Sequence, residues 1–248
     1  MTLAILTDIH GNSDALAAVL QDISSHYSVD EYLVLGDLVA EGPDPLGVVQ
    51  RLTILDNLSC ILGNTDRWVI EGYSELPLKD NCSERHLQVV TEISRTCGWT
   101  AGVLTSNGWF DWLAELPSEL RRTLPDGRRL LAVHGSPGSD EIPMTGAKTT
   151  PEEMQERLRG SEADIVLAGH THLPFRATVD GADVYTIGSV SLPGGEEKGA
   201  QYALLEATEA GYTLEMKKVP YDFSKMLELA RRIRHPSLEY MSRFFTRS

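Results

Sequence analysis

The 248-residue chain is poor in cysteine, in basic side chains and in long apolar runs, and each shortage excludes something. Cys60, Cys82 and Cys97 are odd in number, far apart and form no CxxC pair, so neither a disulfide framework nor a thiolate zinc site is expected. The 22 Lys and Arg face 36 Asp and Glu, a formal charge of −14. A surface that acidic is unsuited to duplex nucleic acid, whose phosphates need a basic partner. A small phosphorylated ligand remains compatible with it if a bound cation supplies local positive charge. No apolar stretch approaches the ~20 residues that cross a bilayer, so no membrane partner is expected. The opening Met1-Thr2-Leu3-Ala4-Ile5-Leu6-Thr7-Asp8 lacks a basic leader and stops on an acid. It reads as a buried strand rather than a signal peptide, and the expected location is cytoplasmic.

What the chain does contain is a set of short apolar runs of strand length. Leu3–Leu6, Tyr32–Leu35, Leu58–Leu62, Leu130–Val133 and Ile165–Ala168 are apolar almost throughout, as strands covered on both faces should be. Runs at 184–187, 201–205 and 212–216 alternate more and suit antiparallel pairing. Helical periodicity appears at 12–23, with Asn12 or Ser13 as cap, at 83–97 and at 107–116. Thr150-Pro151-Glu152-Glu153 is a capping box opening a helix to about Leu158. Terminal helices are expected over 222–233 and 237–245, separated at His235-Pro236. With no repeat or linker, residues 1–248 read as one domain, and 67–128 reads as a mostly helical insert between core strands.

The core runs end alike. Asp8-Ile9-His10-Gly11-Asn12, Gly36-Asp37, Gly63-Asn64-Thr65-Asp66, His134-Gly135 and Gly169-His170-Thr171-His172 each follow one of them. Ligands of open α/β sheets bind beyond the carboxyl ends of the strands. Parallel neighbours would therefore bring two Asp, one Asn and four of the seven histidines to one crevice. Carboxylates and imidazoles together suit Mn, Fe, Zn or Ni. A shared carboxylate can bridge two ions roughly 3.5–4 Å apart, close enough to clamp a phosphoryl group.

In this order, D-x-H-G-N, G-D, G-N-x-D, H-G and G-H-x-H resemble the calcineurin-like metallophosphoesterase superfamily. The resemblance runs from Asp8 to about Pro193, and Gly188-Ser189-Val190-Ser191 is similar to the glycine-serine loop of its bacterial and archaeal phosphodiesterase-like branch. It implies an α/β fold, a four-layer αββα sandwich of two mixed sheets flanked by helices. It also implies two divalent transition-metal ions, with manganese the first expectation and Fe, Zn or Ni the alternatives. One ion would be held by Asp8, His10, Asp37 and His172, the other by Asp37, Asn64, His134 and His170, with Asp37 bridging. Asp37, Asn64 and His134 would form the catalytic centre, and Gly11, Asn12 and Thr65 would meet the substrate. A metal-bridging hydroxide would attack phosphorus in line.

The third block departs from the family's common G-N-H-[DE], with Thr65 where a proton-donating histidine is expected. A hydroxyl donates a hydrogen bond but is no general acid near neutral pH, and losing such an acid costs ~10²–10⁴-fold with a basic leaving group. The expected activity is therefore a phosphodiesterase on a small or nucleotide-like substrate. A phosphomonoesterase or protein phosphatase, a DNA nuclease, and a non-catalytic scaffold such as the similar retromer subunit are the alternatives. Asp66, with no histidine to orient, is expected to cap a short helix over 67–71. Ser189 and Ser191 either touch the site or serve a tight loop. Trp109 and Trp112 are expected to pack within the insert, Glu196-Glu197-Lys198 to form a solvated turn, and His26, His86 and His235 to lie on the surface. The insert would act as a lid or build a homo-oligomer interface.

Overall fold

The computed structural model describes residues 1–73, 82–145, 149–192, 199–239 and 241–242. The turn expected at 196–198 and residues 240 and 243–245 of the helix expected at 237–245 lie outside them. Ten strands form two five-stranded sheets. The first sheet contains β1 (Thr2–Leu6), β2 (Glu31–Val34), β3 (Leu58–Cys60), β9 (Ala200–Thr208) and β10 (Gly211–Val219), in the order β10-β9-β1-β2-β3. The second contains β4 (Glu119–Thr123), β5 (Arg129–Val133), β6 (Ile165–Ala168), β7 (Phe175–Val179) and β8 (Ala182–Thr186), in the order β4-β5-β6-β8-β7. In the second sheet β5-β6-β8 run parallel at the centre and antiparallel β4 and β7 form the edges. In the first, β1-β2-β3 run parallel out to the β3 edge and antiparallel β9 and β10 complete the other side.

Alternation along the strands builds the layers. Leu3 and Ile5, with Leu33, meet Leu130, Ala132, Ile165 and Leu167 of the second sheet in an inter-sheet core. Ala4, Leu6 and Val34 point the other way, onto Leu16, Val19 and Ile23 of α1 (Ser13–His26) and Val48 and Leu52 of α2 (Pro45–Thr53). Leu131, Val133 and Val166 face Met154 and Leu158 of α6 (Pro151–Leu158), whose capping box forms as expected from Thr150 and Glu153. Strands buried on both faces explain why their sequences are apolar rather than alternating.

Three elements had no apolar signature. β4 and β7 are edge strands, one of them Glu-Leu-Arg-Arg-Thr, whose outer residues stay wet. Among its described residues the segment 67–128 is helical through α3 (Asn64–Glu71), α4 (Glu84–Ser106) and α5 (Phe110–Ala114), and it ends in a sheet edge. α2 was signalled only by Asp44-Pro45, an N-cap whose carboxylate accepts from Gly47 N–H, followed by proline at the first helical position. Trp109 and Trp112 meet edge to face and pack against the apolar cluster that includes Leu104 and Leu113, as expected of packing residues.

His235 is not a surface residue. α7 (Ser224–Ile233) ends on a left-handed Arg234, and the chain turns back so that the His235 ring meets Trp99 of α4 edge-on, 3% exposed. Its Nδ1 accepts from Ser237 N–H, its Nε2 has no partner, and burial lowers its pKa to about 4. The unfolded chain, with a histidine near ~6.5, then binds more protons between pH 6.5 and 4. This contribution to stability is complete above pH 6.5 and is lost as pH falls toward 4, by about 2 kcal/mol at pH 5. Urea denaturation of wild type and His235→Phe at pH 7.5 and pH 5 should show wild type losing that much more than the variant.

Candidate metal centre

The site is assembled by hydrogen bonds between strand-end loops. Asp8, His10 and Gly11 N–H donate to the carbonyls of Gly36, Asp37 and Leu38, which zips the loop after β1 to the loop after β2. Val190 and Ser191 N–H donate to Thr7 and Asp8 carbonyls, and Ser189 Oγ donates to Asp8 O, so the Gly-Ser loop after β8 crosses to the first sheet. Ser189 and Ser191 therefore serve the loop. Gly169 N–H donates to His134 O and joins the loops after β5 and β6. Where the loops after β2 and β3 meet, two glycines are required. Gly36 has φ +87° and a Cβ there would lie 2.5 Å from Gly63 N, while a Cβ on Gly63 would lie 2.1 Å from Asp37 Oδ1.

All seven expected ligands converge. Asp8 Oδ1 lies 3.2 Å from His172 Nε2 and 3.8 Å from His10 Nε2. The two imidazole nitrogens are 3.1 Å apart. Asp37 Oδ2 lies between His134 Nε2 at 3.3 Å and His10 Nε2 at 3.6 Å. Asn64 Oδ1 is 3.1 Å from His134 Nε2 and 3.0 Å from His170 Nδ1. Two sets of donor atoms, Asp8/His10/His172 and Asp8/Asp37/His134, are each close enough to share one ion. Asp8, His10, Asp37, His170 and His172 all hold left-handed backbone conformations, with φ from 46° to 67°. Such strain costs about 1–3 kcal/mol per residue and persists where the surroundings enforce it.

The donors fit a divalent metal. The Nδ1 atoms of His134 and His172 face the carbonyls of Leu35 (2.7 Å) and Leu192 (3.0 Å), a contact that requires Nδ1–H and turns the Nε2 lone pair inward. Asp8 Oδ1 and His10 Nδ1 are buried without hydrogen-bond partners. The electrostatics also call for a cation. Burial alone would raise the carboxyls of Asp8 and Asp37, yet neighbouring histidines hold both below the usual range. Burial opposes charge on His134 and His172, but Asp37 and Asp8 outweigh it and push them up to about 10 and about 9. His170 is lowered by burial and by the His134 charge.

The three expected substrate contacts differ. Asn12 caps α1 by accepting from Ala15 N–H, and its amide group donates to Ser191 Oγ and Tyr221 Oη, so its polar atoms are engaged within the protein. Gly11 packs where a Cβ would meet the Gly42 and Val39 carbonyls at 2.8 and 2.9 Å. Thr65 N–H donates to Asp37 Oδ1 at 2.9 Å, and its buried hydroxyl has no partner. Glu41, not anticipated from the sequence, places Oε2 3.7 Å from His10 Nδ1. Asp66 does more than cap α3: it accepts from Gly63, Leu38 and Val39 N–H, joining the loops that carry Asp37 and Asn64.

Several comparisons bear on kinship. An uncharacterized protein of Methanocaldococcus jannaschii is 26% identical over 241 residues, 91% of this chain and 90% of that one. The crystal structure of a hypothetical protein from Pyrococcus horikoshii OT3 superposes with a TM-score of 0.79 at 21% identity, covering 94% of this chain and 93% of that one. A symmetrical bis(5'-nucleosyl)-tetraphosphatase of Buchnera aphidicola is 33% identical over 87 residues, 35% of this chain and only 31% of that protein. No helix among the described residues is long and apolar enough to cross a membrane. Residues 1–210 match the calcineurin-like phosphoesterase superfamily domain, and the chain belongs to that family of metal-dependent phosphoric ester hydrolases.

Proposed function

We propose that the protein is a two-metal phosphodiesterase acting on small, nucleotide-like substrates. The observation that carries this reading is the convergence of two buried carboxylates, one carboxamide and four imidazoles at the ends of five strands. Asp8, His10, Asp37 and His172 would hold one ion, and Asp37, Asn64, His134 and His170 the other. Bound divalent ions supply an activated water and neutralise charge on the phosphoryl oxygens. The chain's own part is to fix those ligands, and at Thr65 to face the leaving-group oxygen. The Thr65 hydroxyl, buried and unpaired, can donate a hydrogen bond there but cannot deliver a proton. Substrates with stable leaving groups are favoured for that reason. The partial relative that acts on bis(5'-nucleosyl) tetraphosphates supports nucleotides as the class to test first.

With manganese, purified protein should hydrolyse bis-p-nitrophenyl phosphate faster than p-nitrophenyl phosphate, and EDTA should stop both. EDTA-resistant hydrolysis, or a clear preference for the monoester, overturns the reading. Ion binding should also show without turnover. Manganese at 100 times its dissociation constant stabilises the folded state by about 2.7 kcal/mol. For a chain of this size that is a rise in Tm of roughly 5–10 °C over the EDTA-treated protein, measured by differential scanning fluorimetry.

A further inference from the structure

Glu41 occupies a backbone conformation that its residue type resists. Gly42 N–H donates to Ala40 O at 3.0 Å across a three-residue turn, and Glu41 at its centre has φ 75°. That turn is the rare, strained γ form, and a side chain there costs about 1–3 kcal/mol that a glycine would not. The turn is pressed against the loop that carries His10. A Cβ on Gly42 would overlap His10 O, and Asp44 N–H donates to Gly11 O at 2.9 Å. The strained turn thus aims a carboxylate at an expected metal ligand, with Glu41 Oε2 3.7 Å from His10 Nδ1.

We propose that Glu41 is the positioning residue of His10, accepting from its Nδ1–H so that the Nε2 lone pair faces the ion. The inference rests on the metal-site reading for the ligand role of His10 and on geometry for its partner. His10 Nε2 points into the cluster, toward His172 Nε2, Asp37 Oδ2 and Asp8 Oδ1. Its Nδ1 points away from them, buried and without a hydrogen-bond partner. The same nitrogens of His134 and His172 face the Leu35 and Leu192 carbonyls, so His10 is the exception among the three. Water cannot serve instead, because the atom has no accessible surface, and an unpaired N–H there would cost ~1–3 kcal/mol. At 3.7 Å Glu41 stands beyond hydrogen-bond length, but its side chain is 22% exposed, and an inward swing of about 0.5 Å closes the bond. A carboxylate can only accept, so it selects the Nδ1–H tautomer and makes Nε2 the more basic ligand atom. Leu192, Met226 and Met241 wall the space beside the pair, and their apolar surface strengthens a charge-assisted contact.

The test reads metal binding rather than turnover. Manganese is titrated calorimetrically into EDTA-stripped wild type, Glu41→Gln, Glu41→Gly, His10→Ala and the His10→Ala/Glu41→Gly double variant. Glu41→Gly relieves the turn, so its stability to urea without metal should match or exceed that of wild type. Its affinity for one ion should still fall about tenfold or more, the usual cost of losing a partner behind a histidine ligand. Glu41→Gln keeps an acceptor without the charge and should lose less. In the His10→Ala background Glu41→Gly should change affinity by less than about twofold, because the residue it orients is gone. An equal loss with and without His10 would mean that Glu41 acts by charge alone, and overturns the positioning role. Heteronuclear NMR of the zinc-loaded protein gives an independent reading. The His10 Nδ1–H signal should be present in wild type and exchange away in Glu41→Gly; an unchanged signal overturns the proposal. If wild type binds metal and folded Glu41→Gly binds it as well, this inference alone fails. If wild type binds none, the metal-site reading falls and takes the inference with it.

Discussion

Asp37→Asn should lower kcat/KM for a nitrophenyl diester by at least ~10²–10³-fold, the range found when one group that stabilises developing charge is removed. The larger part of the expected loss comes from position. Asp37 Oδ2 lies near one histidine of each expected ligand group, His10 at 3.6 Å and His134 at 3.3 Å. An amide of the same shape keeps an oxygen for Thr65 N–H but presents NH₂ or a neutral oxygen to the metal side. The fold should survive. The Asp37 anion is held by His134, His10 and Thr65 N–H, so a neutral amide in its place gives up part of that stabilisation in the metal-free protein. The expected variant is therefore folded, less stable than wild type in EDTA, nearly inactive, and without most of the thermal shift given by manganese. Steady-state kinetics and scanning fluorimetry on one preparation check all of this. Activity within tenfold of wild type would show that Asp37 does not bridge the ions.

Much of the architecture could be read in the sequence because its informative residues are buried on two sides. β1, β2, β5 and β6 are apolar at every central position, and a polar residue can follow them only where the chain leaves the core. That made Asp8, Asp37, His134 and His170 visible as strand-end residues. The illegible features are those in which one residue type serves several environments. Edge strands such as Glu119–Thr123 carry charge because one flank meets water, so they resemble loops. His235 is buried only because Arg234 turns left-handed, a conformation with no dependable sequence signal. Asn12, expected beside the substrate, also caps α1, and its side chain meets Ala15, Ser191 and Tyr221.

Asp66 shows how a residue that looks like a simple cap can carry the geometry of the centre. Its carboxylate is fully buried and accepts from Leu38 at 2.9 and 3.1 Å, from Val39 at 3.1 Å and from Gly63 at 3.1 Å. Burial, joined by the Asp37 charge, pushes its carboxyl up to about 7 while those amides pull it down, so the anion is retained only with its donors in place. Asp66→Ala removes the shared acceptor and strands three buried N–H groups, each costing ~1–3 kcal/mol when unpaired. The summed loss should be about 3–5 kcal/mol, at the upper end for a single substitution. Asp66→Asn keeps one acceptor oxygen and should lose less. Because Leu38 follows Asp37 and Gly63 precedes Asn64, the damage should reach the centre as well. Urea denaturation at pH 7.5 should show the stability loss, and the same protein below its unfolding transition should need more manganese for half-maximal activity. A stability loss below about 1 kcal/mol would mean that those three amides find other acceptors, and that Asp66 is not what joins the two ligand-bearing loops.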